Sequence, residues 1–408
     1  MIQTIYELRV ARGDGRLLAG ELNSALSHYI AAAEYFRPFD QQKMVEKLDE
    51  LAGQIYEASR RSLRPAYTVA SGLLEHVLSL DGIGLDAPSL AKYQYRLGLI
   101  NRNAHADRRD GEPSEQLEKA ILFASKAVEM SVALDDIHQR GCARISLANC
   151  LREKALLDDK KDKKPIHEVI KLLEDSKLEI ESENVEDKSL LTHIYNNLGS
   201  AYDMLASISG EQSRSRYKKI ALENFRRSVS HSETFLDVDT WAGAKINIGS
   251  LLWERSKLKS ISTEEANFLR LQALAEYIAA SETYPQTLFP LRAGELNFQV
   301  GGLLNDIAIN SANVELAELY MARAISALLA AETVFDEKNH LERWSKIQML
   351  LGYVFSNHSK ITDSETSKND IDEAISRFGS VITASDTTGQ ATIANECRRI
   401  ISELRTKR

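Results

Sequence analysis

Four amide side chains recur along this sequence at nearly regular intervals: Asn149, Asn197, Asn247 and Gln299. Asparagine and glutamine both donate and accept hydrogen bonds, so such a row can pair with the main chain of an extended peptide in any register, or bond within the protein itself. A second concentration of chemistry is cationic. Arg214, Arg216, Lys218, Lys219, Arg226 and Arg227 surround a single acid, Glu223. That segment reads either as the solvated face of a helix start or as a patch for an acidic or phosphorylated partner. The Lys160 to Lys164 loop is diluted by Asp158, Asp159 and Asp162.

Catalytic and metal chemistry find little support. The histidines are scattered, with no H-E-x-x-H pair and no cysteine cluster, so each reads as a surface or core residue rather than a ligand, and neither metal nor cofactor is expected. Cys142, Cys150 and Cys397 lack metal-type spacing and read as buried free thiols. Gly13-Asp14-Gly15, with Gly20, follows the apolar run Ile5 to Val10, but its spacing is wrong for a phosphate loop and no βαβ unit follows; it reads as a helix-to-helix turn. No nucleophile elbow or kinase signature occurs, so the chain reads as a non-enzyme. A formal net charge of −8 argues against a general nucleic-acid binder. No run approaches the length of a membrane span, and Met1 to Arg9 carries neither the basic nor the apolar region of a signal peptide; the expectation is a cytoplasmic protein without a membrane partner.

The elements that position these residues follow from an internal repeat. Six segments place a small residue after an apolar one: Leu97-Gly98, Leu147-Ala148, Leu198-Gly199, Ile248-Gly249, Val300-Gly301 and Leu351-Gly352, the small residues lying 50, 51, 50, 52 and 51 positions apart. A second marker keeps the same beat in another part of the unit: Ser232-Glu233-Thr234, Ser281-Glu282-Thr283 and Ala331-Glu332-Thr333. Around each small residue the apolar positions recur at helical spacing, as in Ile194, Leu198, Ala201, Tyr202 and Leu205, which defines a helix A. A glycine inside a helix costs about 1 kcal/mol relative to alanine, so its recurrence marks a place where another helix approaches closely. Helix B carries Ala120/Phe123/Ala127, Ala221/Phe225/Val229, Ala273/Tyr277/Ala280 and Ala374/Phe378/Val381. Polar stretches at His105 to Ser114, Asp158 to Lys164, Ser207 to Ser215 and Ser359 to Asp370 read as the A–B loops. Pro65, Pro113 and Pro165 read as helix starts.

This pattern resembles the tetratricopeptide repeat, with a longer A–B connection and longer helices than the usual unit of about 34 residues. A variant with a period of about 50 residues, found in bacteria, is closer. Its helix A reads W-A-x-x-Q-x-N-L-G. Here Trp241-Ala242 precedes Asn247-Ile248-Gly249, Trp344 precedes Gln348 and Leu351-Gly352, and Leu191 precedes Asn196-Asn197-Leu198-Gly199. The resemblance implies an all-α fold, a right-handed α-solenoid with six helix pairs over residues 91–385. Residues 1–90 would be a divergent N-terminal cap or first repeats, and 386–408 a capping helix with a basic tail. It further implies that helix A lines a concave groove holding Arg96, Arg102, Asn149, Arg152, Asn197, Asp203, Asn247, Trp253, Gln299, Asn305 and Tyr353. A carboxylate clamp of the kind some members carry is only half matched: Asn149 and Asn197 fit, but Ile145, Gly243 and Asn247 stand where basic residues belong.

The function implied is a scaffold or adaptor that binds a peptide or partner protein, in its narrower form the regulatory subunit of a bacterial effector system. A ligand-responsive sensor is the alternative. A toroid of helix pairs carrying a glycosidase site is the third, disfavoured because two of the three tryptophans hold the repeat's structural position.

Overall fold

The computed structural model describes residues 2–62, 65–80, 83–106, 115–134, 136–157, 162–183, 187–235, 237–388 and 391–406. Among these, the regular structure is helical, without a strand. The chain divides into two compact units, Met1–Trp241 and Ala242–Arg408.

Unit 1 begins with α1 (Ile2–Leu18), α2 (Leu22–Ala33), α3 (Gln41–Arg60) and α4 (Tyr67–Ser79). It continues with α5 (Ala87–Ala106), α6 (Glu115–Val132), α7 (Ile137–Leu157), α8 (Lys164–Ser182), α9 (Lys188–Ser207) and α10 (Glu211–Phe235). α11 (Val238–Ser256) crosses the boundary. Unit 2 adds α12 (Thr263–Ser281), α13 (Pro290–Ile309), α14 (Val314–Glu332), α15 (Leu341–His358), α16 (Ser364–Thr388) and α17 (Ala391–Arg405). Consecutive helices joined by short connections pack as antiparallel pairs, and the fold is a tetratricopeptide-like array of such pairs. Helix starts are set by side-chain caps: Asp40, Asp187, Ser262 and Asn313 each accept from a backbone N–H of the first turn. No described helix is long and apolar enough to cross a membrane.

The recurrent small residue is the joint of each pair. A Cβ built on Gly199 would lie 2.6 Å from the Phe225 ring, on Gly249 2.8 Å from Tyr277, on Gly301 2.5 Å from Leu328 and on Gly352 2.8 Å from Phe378. Helix B thus drives a large side chain against the bare backbone of helix A, and the close-approach reading of these glycines holds. In α5 and α6 a smaller side chain meets the joint, with Gly98 facing Ala124 at 3.2 Å rather than the Phe123 of the sequence pattern. The later marker has a structural use in one repeat: Glu332 accepts from Gln348 at 2.7 Å and from Arg377 at 2.6 Å, tying α14 to α15 and α16.

Three sequence readings need correction. The period of about 50 residues comes from helix length. Helices within pairs run to 25 residues, while the A–B connections vary from 208–210 between α9 and α10 to 257–262 between α11 and α12. Accordingly Glu211 to Ser215 and Ser364 to Asp370, assigned to loops, are helical, because polar residues at a helix start are solvated on their outer side. Gly13-Asp14-Gly15 is not a turn but part of α1. Gly13 clears space for the Tyr29 ring, whose hydroxyl donates to Asp14 at 2.7 Å, and the turn falls at Gly20, which has φ +77°. Pro165 does open α8, while Pro65 lies two residues ahead of α4. Pro113 and the loop residues 107–114 and 158–161 lie outside the described residues.

Helix A forms the inner layer. In unit 1, α5 packs on α7 and α7 on α9, whereas α6 and α8 barely meet; in unit 2, α13 packs on α15. Elements that converge on one side and splay on the other curve toward the converging side. Arg60 of α3 even pairs with Asp239 at the start of α11, so the inner helices of unit 1 curl round a concave face. The first two pairs differ, with α2 packed on α4 and Leu26 filling the space at Gly72.

Candidate partner-binding face

The polar row sits where helix A meets the next helix A, and much of it is spent on that junction. In unit 1, Arg96 pairs with Asp49 of α3, which also takes Lys92 at 3.1 Å. Asn103 donates to the Tyr56 hydroxyl at 2.9 Å and accepts from Arg102 at 3.2 Å. Arg152 reaches the Asn197 carbonyl at 3.4 Å and lies 3.7 Å from Glu153. The Asn197 amide donates to the His193 carbonyl one turn back, at 2.9 Å. Asp203 instead holds Lys218 of its own pair at 2.6 Å.

Unit 2 repeats the arrangement with other residues. The Trp253 indole donates to Asp306 at 2.7 Å, and Asp306 also accepts from Arg270 at 3.2 Å. Gly302 admits the Trp253 ring edge, and Lys257 lies over its face. Asn305 accepts from Asn357 at 3.3 Å, and the Gln299 carbonyl is buried without a partner among the described residues. Asn247 is half-buried and engaged within the chain, and Tyr353 donates to Glu396 at 3.0 Å.

Unit 1 differs in its solvation. Arg96 and Arg152 keep about a fifth of their side chains accessible (20% and 21%), yet burial lowers both guanidiniums from their ordinary value. For Arg152, Glu153 opposes the shift and the neighbouring charge of Arg102 adds to it. Burial likewise pushes up the Tyr95 and Tyr56 hydroxyls, and carries the Cys142 thiol to about 12 with help from Asp187 and Asp136. All are only partly buried by accessibility. Groups that touch water and are nevertheless desolvated have protein round them on most sides, as on a floor between helices. On the same floor the Asn149 amide and the Tyr95 hydroxyl make no hydrogen bond among the described residues, although Asn149 is only 9% exposed. Cys150 and Cys397 are buried as expected; Cys142 is not fully so.

The sequence did not point to Tyr56 or Tyr95. Tyr56 lay in the segment read as a cap; its spacing of 47 residues from Asn103 would have placed α3 in the same register.

The basic segment is partly engaged within the chain. It lies on α10, where Lys218 is bound to Asp203, Arg227 to Glu223 at 2.8 Å and over the Tyr195 ring, and Arg214 to the Ser209 carbonyl at 3.2 Å. Arg216, Lys219 and Arg226 remain exposed. A further open cleft of about 590 Å³ lies between the first helices, lined by Arg9, Ser27, Glu34, Tyr35 and His76 among others. Its polar groups are mutually satisfied: His76 with Glu34 at 2.8 Å, Arg9 with the Ala31 carbonyl at 2.6 Å.

No family model and no curated protein matches the chain. Solved structures do resemble it. A Rap protein complexed with competence and sporulation factor is 11% identical over 98% of both chains, with a TM-score of 0.49. The apo form of RapI is 14% identical over 80% of this chain and 99% of its own, at 0.43. Yeast Tom70 is 14% identical over 100% and 97%, at 0.27. At identities of 11–14% these likenesses concern the fold alone.

Proposed function

We propose that this chain is a non-catalytic interaction scaffold or adaptor that holds a peptide or partner segment on the inner face of unit 1. The observation that carries this reading is the inner face of partly accessible, desolvated polar groups, with Tyr95 and Asn149 leaving hydrogen-bonding capacity unused. A groove of this kind recognises main chain through amides and hydroxyls and side chains through its charged positions.

A sensor reading has its own support. Two of the bonds between successive A helices, Arg152 to Asn197 at 3.4 Å and Asn357 to Asn305 at 3.3 Å, are long. A ligand competing for those groups would alter how neighbouring pairs sit, which is how a bound segment could become a change of shape. The glycosidase reading loses ground, since Trp253, the tryptophan outside the repeat position, is committed to Asp306.

Affinity purification with the intact chain, read by mass spectrometry, should recover a partner. Calorimetry with that partner should then show a loss of about 0.5–1.5 kcal/mol, two- to tenfold in affinity, for each of Asn149→Ala and Tyr95→Phe, with little change in stability because neither group bonds within the array. Unchanged affinity in both folded variants would remove this floor as the site and turn attention to Arg216, Lys219 and Arg226 on α10.

A further inference from the structure

The inner face of unit 1 carries an unbalanced pair of cations. Elsewhere on these helices the guanidiniums have carboxylates: Arg96 has Asp49, while Arg140 and Arg144 share Glu179 at 2.6 Å each. Arg102 has no carboxylate among the described residues, its hydrogen bond going to the neutral amide of Asn103. Arg152 also bonds a neutral amide, that of Asn197, and its one nearby acid, Glu153, stands at 3.7 Å, too far for a tight bidentate pair. The two guanidiniums sit on adjacent A helices, near enough for the charge of one to act on the other. Two cations and one loosely held acid leave a surplus of positive charge on a partly desolvated floor, where an unpaired charge is costly. That cost is relieved when an anion arrives.

Resting on the reading of this face as a peptide groove, we infer that Arg102 and Arg152 form an acceptor site for the carboxylate of an aspartate or glutamate side chain in the bound segment. The guanidinium fork matches a planar carboxylate. The surplus is small and the chain as a whole carries −8, which suits a single carboxylate better than a nucleic acid or another polyanion. Nearby, Asn149 and Tyr95 supply free polar groups for the main chain on either side of the acidic residue. Its cations stand four residues after Gly98 and Ala148 rather than at the basic positions of the half-matched carboxylate clamp, and it uses a side-chain carboxylate rather than a chain terminus.

The test is a random-peptide display selection on the full-length protein, followed by calorimetry with the recovered peptides made N-acetylated and C-amidated so that no terminal charge contributes. Selected peptides should share an acidic residue at a fixed position, and exchanging it for its amide (Glu→Gln or Asp→Asn) should weaken binding about ten- to a hundredfold. Arg152→Gln and Arg102→Gln should each weaken the acidic peptide and leave the amide version unaffected. The peptide-side exchange needs no change to the protein, so it decides the matter even if a variant fails to fold. Peptides that lose affinity to Tyr95→Phe or Asn149→Ala but not to removal of their acid would overturn the carboxylate site and leave the groove standing. Failure to recover any peptide would overturn both.

Discussion

Gly199→Leu should destabilise unit 1 by about 1–3 kcal/mol or more, the usual range for forcing extra methylenes into a packed interface. Even a Cβ at this position would lie 2.6 Å from two carbons of the Phe225 ring, and Phe225 is only 2% exposed, with no room to withdraw. Chemical denaturation should show a lower midpoint. Pairing Gly199→Ala with Phe225→Leu should recover part of the loss, because the smaller partner vacates the contested space. Gly379→Ala provides the contrast. Gly379 sits in α16 with nothing within 4 Å of its would-be Cβ, so alanine there should raise stability by about 0.5–1 kcal/mol through helix propensity alone. An unaltered midpoint for Gly199→Leu would show that the glycine is not the joint between α9 and α10.

Asp306→Ala should cost about 3–5 kcal/mol in unit 2, the range for stripping one partner from a buried ion pair. Its carboxylate serves three donors: the Trp253 indole, the Asn310 amide at 3.2 Å and Arg270, whose side chain is only 8% exposed. Removing it strands a nearly buried cation, an indole N–H and the indole's alignment against Gly302 at once. Asp306→Asn, which keeps an acceptor for one donor, should lose less. The double variant Asp306→Ala with Arg270→Met should be more stable than Asp306→Ala alone, since the stranded charge goes with its partner. If the single and double variants unfold together, Arg270 draws its compensation from elsewhere.

These two sites mark how far the sequence could be read. The Gly199 joint was legible because each repeat presents the same local demand, a small residue where a large side chain of the next helix arrives, and that demand recurs as a period. The Asp306 junction was not. Trp253 could be placed on the inner row by its offset from Gly249, but nothing in the spacing told that its indole would be consumed by an aspartate 53 residues on. In the basic segment, likewise, the spacing did not tell that Lys218 would be held by Asp203 on the preceding helix.

The sequence by itself determined the helices, their pairing and the small residues at the joints, because amphipathic spacing, caps and close-approach glycines are local properties repeated in register. It also determined the row of amides and cations along helix A. Only the tertiary structure decided which members of that row are spent between neighbouring helices and which keep hydrogen-bonding capacity unused. That choice depends on which side chains from separate repeats come within hydrogen-bonding distance, and on how the curvature of unit 1 withdraws Tyr95, Arg102, Asn149 and Arg152 from bulk water while leaving some of them unpaired.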